Sequence, residues 1–246
     1  MKSLILFDVD GTLTIPRQKI KQNMIDTLCK LNKIEDLDIG FVGGSDLCKQ
    51  IEQLGEENMK LFKWHFSENG LLSFCDSKLI HKQSFVEYIG EEKYKRLVNA
   101  ILEAFSKTVL PIKRGNCIEL RNGMVNISPV GRSCTTEERE EFYQFDLISK
   151  TKENVITDIK QIMGSDADDL TFSIGGQISI DVFPTGWDKR YALQFVESKY
   201  DKIYFFGDKT MKGGNDYEIF NDPRVIGNTV VTFNDTIEIL QKIFNI

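Results

Sequence analysis

Long apolar runs, paired cysteines, histidine and a surplus of positive charge are what this chain lacks. The apolar run that opens it, LILF, reaches Asp8 after about four residues, too short for the core of a secretory signal. No stretch approaches the roughly 18 consecutive apolar residues of a membrane span. Five cysteines (Cys29, Cys48, Cys75, Cys117 and Cys134) are odd in number and form no CxxC pair. That pattern speaks against a zinc site and fits reduced thiols in a cytoplasmic protein. Two histidines, His65 and His81, do not make a histidine-rich metal centre. A net charge of −6 argues against general nucleic-acid or membrane binding, both of which need a basic surplus. It leaves room for a local basic site that takes a small anion.

What is present suits a soluble globular chain. With 246 residues, 41% hydrophobic and 28% charged, one or two domains and a large core are possible. Four short apolar segments, LILF (4–7), DIGFV (38–42), KWHF (63–66) and KIYFF (202–206), read as buried parallel strands covered on both faces. A helical pattern over 17–33 separates the first two, with Ile20, Met24, Ile25, Leu28 and Leu31 on one stripe. This alternation predicts a doubly wound, mainly parallel α/β fold. The middle of the chain differs. A helix is expected over 85–107, then a hairpin at Asn122-Gly123 and another at Gly175-Gly176. Between them, Thr135 or Thr136 can cap a helix that begins TEEREEFYQF. The expected organisation is therefore a core of 1–81 and 188–246 with an α+β insert at 82–187.

Ligands of open parallel sheets sit beyond the carboxyl ends of the strands, and here those ends carry polar residues in a consistent set. The first strand leads into Asp8 and Asp10, the second into Gly43-Gly44-Ser45, and the 202–206 strand into GDKTMKGGND with Asp208 and Asp216. Lys189 begins a helical segment after Trp187. Two carboxylates spaced i, i+2 on an extended segment share one side of it. They repel unless a cation joins them or one keeps a proton. Hard oxygen ligands favour Mg2+ over zinc, and a carboxylate aligned with phosphorus can act as a nucleophile. Each feature alone has a plain reading: a surface turn, a helix cap at Ser45, a solvated lysine, a glycine-rich loop. Their order at successive strand ends carries the argument.

Taken together, DVDGTLT, Ser45, Lys189 and GDKTMKGGND resemble the four motifs of the haloacid dehalogenase superfamily. That resemblance implies a HAD-like core in which Asp8 is the nucleophile, forming an aspartyl phosphate, and Asp10 the general acid/base. It implies that Ser45 and Lys189 hold phosphoryl oxygens. Asp8, the Asp10 carbonyl, Asp208 and a supporting Asp216 would form the Mg2+ site. A closer resemblance, through FVGGSD, SENG, KRGNCIELRNGMVNISPVGRSCTTEERE and GGQISIDVFPTGWDKRY, is to the eukaryotic-type phosphomannomutases. The insert would then be their cap, with substrate roles for Arg17, Arg121, Arg132, Arg139, Ser179 and Asp181. The resemblance further implies a homodimer through the cap. Lys212 stands where the family's MPGGND stretch carries proline.

The insert supports an anion site on its own terms. From Lys113 to Arg132 the charges Lys113, Arg114, Arg121 and Arg132 face only Glu119, and arginine suits bidentate phosphate recognition. Alternation puts Ile178, Ile180 and Val182 on one strand face with Ser179 and Asp181 on the other, and opposes Ile118 and Leu120 to Glu119 and Arg121. A distal phosphate site distinguishes a mutase, in which a sugar hydroxyl attacks the phosphoenzyme, from a phosphatase, in which water does. The expected function is interconversion of mannose 6-phosphate and mannose 1-phosphate through a hexose 1,6-bisphosphate, which also primes the enzyme as activator. The product would supply GDP-mannose synthesis, and closure of the cap would exclude water. A sugar-phosphate phosphatase of the same superfamily and a phospho-receiver module are the alternatives.

Overall fold

The structure, a computed structural model, describes residues 1–246. Strand β1 (Ser3–Phe7) explains its own apolar run. Ile5 and Phe7 pack with Met24, Leu28 and Phe41, whereas Leu4 and Leu6 pack with Trp64, Phe66 and Phe205. A strand buried on both faces has no position for a polar side chain until it leaves the sheet. Helix α1 (Gln22–Leu31) is shorter than the 17–33 expectation. The residues before it fold into a turn in which Gln18 N–H donates to Ile15 O at 2.9 Å and Arg17 takes a left-handed φ of 60°.

The chain continues through β2 (Leu37–Val42), α2 (Leu47–Leu54), β3 (Trp64–Ser67), β4 (Leu72–Cys75) and β5 (Lys78–Lys82). A second unit then holds α3 (Phe85–Ile89), α4 (Glu91–Lys107), β6 (Ile118–Leu120), β7 (Val125–Ile127), α5 (Thr136–Ser149), α6 (Thr151–Met163), β8 (Leu170–Gly175) and β9 (Ser179–Pro184). The chain returns to the first unit with β10 (Lys202–Gly207), α7 (Tyr217–Phe220), β11 (Ile226–Thr229) and α8 (Phe233–Phe244). Contacts divide the molecule into Met1–Lys82 with Gly186–Ile246, and Gln83–Thr185.

The first unit is built on a seven-stranded sheet of order β11-β10-β1-β2-β3-β4-β5. Its first five members are parallel and the β3-β4-β5 meander is antiparallel. Phe7 pairs with both Phe206 and Phe41, so β1, β2 and β10 end side by side. No helix is long and apolar enough to cross a membrane.

The second unit carries a four-stranded antiparallel sheet of order β6-β7-β9-β8. The helix expected over 85–107 is two helices separated by Gly90. Asn122-Gly123 makes the expected hairpin, with Arg121 N–H donating to Met124 O at 2.8 Å. The other connection is a three-residue loop, since Gly175 pairs with Ser179, rather than a two-residue turn at Gly175-Gly176. Thr135 is the cap of α5, closing a reciprocal capping box with Glu138. Ile180 and Val182 are buried and Ser179 and Asp181 are half-buried, as alternation requires. Edge strand β6 departs from the pattern: Leu120 is 48% exposed, because an edge strand this short is not covered on both faces.

Candidate active site

The ladder from β1 runs one residue past the strand, with Asp8 N–H donating to Phe206 O at 2.9 Å. The backbone then turns sharply: the N–H groups of Leu13 and Thr14 both reach Val9 O at 3.0 Å. Gly11 has φ of 84°, and a Cβ there would stand 2.5 Å from Asp208 Oδ2. The glycine of DVDGT is thus required twice, by its backbone angle and by the carboxylate that approaches it from the end of β10.

This turn alters the expected relation of the two acids. Their carboxylates have no partner in common. Asp8, buried, accepts from the Lys189 ammonium. Asp10 Oδ1 instead accepts from Arg17 N–H and from Gln53 Nε2, each at 2.7 Å. The left-handed backbone of Arg17 aims its N–H at this carboxylate.

Lys189 is 1% exposed. It begins a short 3-10 turn whose cap is Asp188. Besides Asp8 it donates to Asp216 Oδ1 at 2.5 Å, while Asp216 Oδ2 accepts from Lys209 N–H at 3.0 Å. One carboxylate oxygen from each of Asp8, Asp208 and Asp216 lies within 4.8 Å of the others; the Asp10 carboxylate stands outside this group. If all are ionised, three carboxylates and one ammonium leave two negative charges uncompensated. Burial pushes the Asp8 carboxyl up to about 7 against the attraction of Lys189, with Asp216 and Asp208 adding repulsion. Burial also raises Asp208, which Lys209 partly offsets and Asp216 reinforces. Burial opposes the charge on Lys189, but Asp8 and Asp216 overcome it and hold that ammonium above its ordinary range. A hard divalent cation fits this donor set: all-oxygen ligands carrying the charge it would neutralise.

Asp8 and Asp10 do meet at a cavity of about 130 Å³, whose wall includes Gly43, Gly44, Ser45, Gln50, Gln53, Lys209 and Asn215. Ser45 is not the cap of α2. Asp46 takes that place, accepting from Lys49 N–H at 3.0 Å, and Ser45 lines the cavity. A neighbouring groove of about 540 Å³ shares Asp10, Ser45 and Gln53 and adds Arg17, Gln18, Lys19, Lys49 and Glu52. The structure thus brings together Asp8, Asp10, Ser45, Lys189, Asp208 and Asp216, with Arg17 beside them. Gln50, Gln53, Lys209 and Asn215 are site residues that the sequence reading does not single out. Of these, Lys209 and Asn215 lie inside the quoted GDKTMKGGND motif, whereas the two glutamines look like ordinary polar positions of an amphipathic helix.

The remaining candidates lie in the second unit, on its sheet, in adjoining loops and on α5. Glu119 pairs with Asn126 and Asn126 with Asp181 across β6, β7 and β9. Asn126 Nδ2 donates to Asp181 Oδ1 and Arg132 Nη1 donates to Asn126 Oδ1, both at 2.6 Å. Arg121 and Arg132 each reach Glu119 Oε2 at 3.0 Å. Arg121, Arg132 and Asp181 therefore form one polar row with an asparagine at its centre. Ser179 Oγ donates to Gly175 O at 2.9 Å, and Arg139 sits on α5 outside this network. The basic surplus over Lys113–Arg132 is smaller in space than in sequence, because Arg114 pairs with Glu138 of α5.

Comparison with known proteins identifies the family. The profile of the eukaryotic phosphomannomutase family matches residues 24–246. The chain is 53% identical to a phosphomannomutase of Schizosaccharomyces pombe, over 100% of its own length and 95% of the relative's. It is 50% identical, with the same coverages, to a phosphomannomutase of Saccharomyces cerevisiae. Among solved structures, a sugar phosphatase of haloacid dehalogenase subclass IIB superposes with a TM-score of 0.59 at 18% identity, covering 100% of this chain and 99% of that one. The fold is that of the haloacid dehalogenase superfamily, a mainly parallel α/β core with an inserted cap, and the chain belongs to the eukaryotic phosphomannomutase family.

Proposed function

We propose that this protein interconverts mannose 6-phosphate and mannose 1-phosphate by way of an aspartyl-phosphate enzyme and a hexose 1,6-bisphosphate. The observation that carries the reading is the placement of Asp8 at the cavity it shares with Ser45 and Asp10, backed by Lys189 and the Asp208–Asp216 pair. Relatives named as phosphomannomutases at about half identity over the full length support the same substrate class.

Asp8 attacks phosphorus, and the sugar oxygen leaves with a proton from Asp10. Two donors on Asp10 Oδ1 hold that carboxyl and leave its other oxygen to carry the proton. Ser45 and Lys189 hold the phosphoryl oxygens as charge moves onto them. Asp8, the Asp10 carbonyl and Asp208, with Asp216 in support, would hold Mg2+, which would supply electrostatic stabilisation of the phosphoryl group. In the return half, a sugar hydroxyl gives its proton to Asp10 and takes the phosphoryl group from Asp8, which regenerates the free carboxylate. Arg121, Arg132 and Arg139 bind the phosphate that does not react, Arg17 is a further substrate contact, and Ser179 and Asp181 bind sugar hydroxyls. The bisphosphate primes the cycle, the protein acts as a cytoplasmic homodimer joined through its caps, and its mannose 1-phosphate feeds GDP-mannose synthesis.

The test is purified protein with Mg2+ and a catalytic amount of hexose 1,6-bisphosphate. Mannose 1-phosphate should convert to mannose 6-phosphate, with inorganic phosphate released far more slowly. Rapid phosphate release without isomerisation would establish the phosphatase instead.

A further inference from the structure

Two buried side-chain polar atoms in the chain have no hydrogen-bond partner, Thr12 Oγ1 and Gln50 Nε2. Only the second belongs to a residue that lines the cavity of Asp8, Asp10 and Ser45. Gln50 is 0% exposed, on α2. Its Oε1 accepts from Ser67 Oγ at 2.5 Å, and Ser67 is itself buried at the end of β3. One end of the amide is therefore anchored, which sets the direction of the other. Nε2 lies against Gly43, where a Cβ would stand 2.7 Å from it. Glycine at that strand end is what lets the amide come so close. A buried N–H with no acceptor carries a desolvation cost that the fold itself does not recover, so its acceptor has to come from what fills the cavity.

We propose that Gln50 is a further substrate-binding residue, its Nε2 donating to a phosphoryl oxygen of the sugar phosphate while Ser67 holds Oε1. This rests on the reading of the cavity as the phosphoryl site. A phosphoryl group offers only acceptors, which an N–H complements. The wall already carries two carboxylates, Asp8 and Asp10, beside Ser45, Lys209 and Asn215. A neutral donor there attracts the anion without disturbing the charge balance that Lys189 maintains. The same amide turned about would aim its carbonyl oxygen at the anion, and the Ser67 hydroxyl works against that by donating to Oε1.

The experiment is titration calorimetry of the full chain with inorganic phosphate in excess magnesium chloride, alongside mannose 1-phosphate kinetics. Gln50→Met keeps the length of the side chain and removes the donor. Gln50→Glu keeps an acceptor for Ser67 and replaces the donor by a negative oxygen. Kd for phosphate should rise about tenfold in the methionine variant, the loss expected for one hydrogen bond to a charged acceptor. It should rise further in the glutamate variant, and KM for the sugar phosphate should rise with it. In the wild-type chain the Gln50 side-chain amide resonances should shift when phosphate is added, a readout that needs no variant to fold. Variants that bind phosphate as tightly as the wild type, or unmoved amide resonances at saturating phosphate, overturn the role of Gln50 alone. A wild type that takes up no phosphate overturns it together with the assignment of the cavity.

Discussion

The chemistry of the site begins with the protonation of one residue. Asp8 has its carboxyl pushed up to about 7 by burial, with Lys189 opposing and Asp216 adding to the rise. Without metal, the folded protein favours the protonated acid more than the unfolded chain does. Between the ordinary carboxyl value of 3.8 and about 7 the native state therefore holds more protons, and its stability falls as pH rises through that window. Asp8→Asn removes this group from the balance. In a chelator, the variant should show a flatter stability profile by denaturant melts across that range, and it should be catalytically dead with sugar phosphates. Undiminished turnover would refute Asp8 as the nucleophile. At this scale the sequence is informative about residue type and weaker about partner. Two acids spaced i, i+2 announce the site, but the turn at Val9 gives them separate partners. Gln50 and Gln53 carry no signal of their own, because an amide on a helix face has no signature until its partners, Ser67 and Asp10, are known.

Secondary-structure elements differ in how much of themselves a local pattern determines. β1 is legible because burial on both faces forces an unbroken apolar run. α1 is shorter than its apolar stripe because the residues before it are drawn into the Asp10 turn, a constraint that comes from tertiary structure. The 85–107 segment reads as one helix, although it is two, because a single glycine does not interrupt an apolar stripe. α5 shows a local device that is legible, the capping box of Thr135 and Glu138. Thr135→Ala should lower stability by about 1 kcal/mol, read as a shift in the denaturation midpoint. In the β6-β7-β9 sheet, the polar row couples Arg132 to Asn126 and Asp181. Arg132→Ala should raise KM for mannose phosphates by about tenfold or more, the value of a charged hydrogen bond, while hydrolysis of a small aryl phosphate changes little. Equal losses on both substrates would place Arg132 outside the recognition of the distal phosphate.

Across the whole molecule the candidate residues fall into two units. The parallel sheet ends β1, β2 and β10 together, and their loops gather Asp8, Ser45 and Asp208 from distant parts of the sequence. The rule that ligands sit beyond strand ends makes that gathering legible from the amino-acid order alone. The polar row of the antiparallel sheet is legible only in part: alternation identifies Ser179 and Asp181 as sharing a face, whereas Asn126 at its centre emerges only from strand register. A mutase differs from a phosphatase in that the phosphoryl group leaves Asp8 for a sugar hydroxyl and not for water. The most direct measurement is a single-turnover chase. Protein phosphorylated on Asp8 by a labelled hexose 1,6-bisphosphate is freed of sugar, then mixed with buffer alone or with mannose 6-phosphate. A mutase should lose label only slowly as inorganic phosphate in buffer, and transfer it fast to a mannose bisphosphate when the sugar phosphate is present. Label that leaves as inorganic phosphate at the same rate in both would contradict the mutase reading.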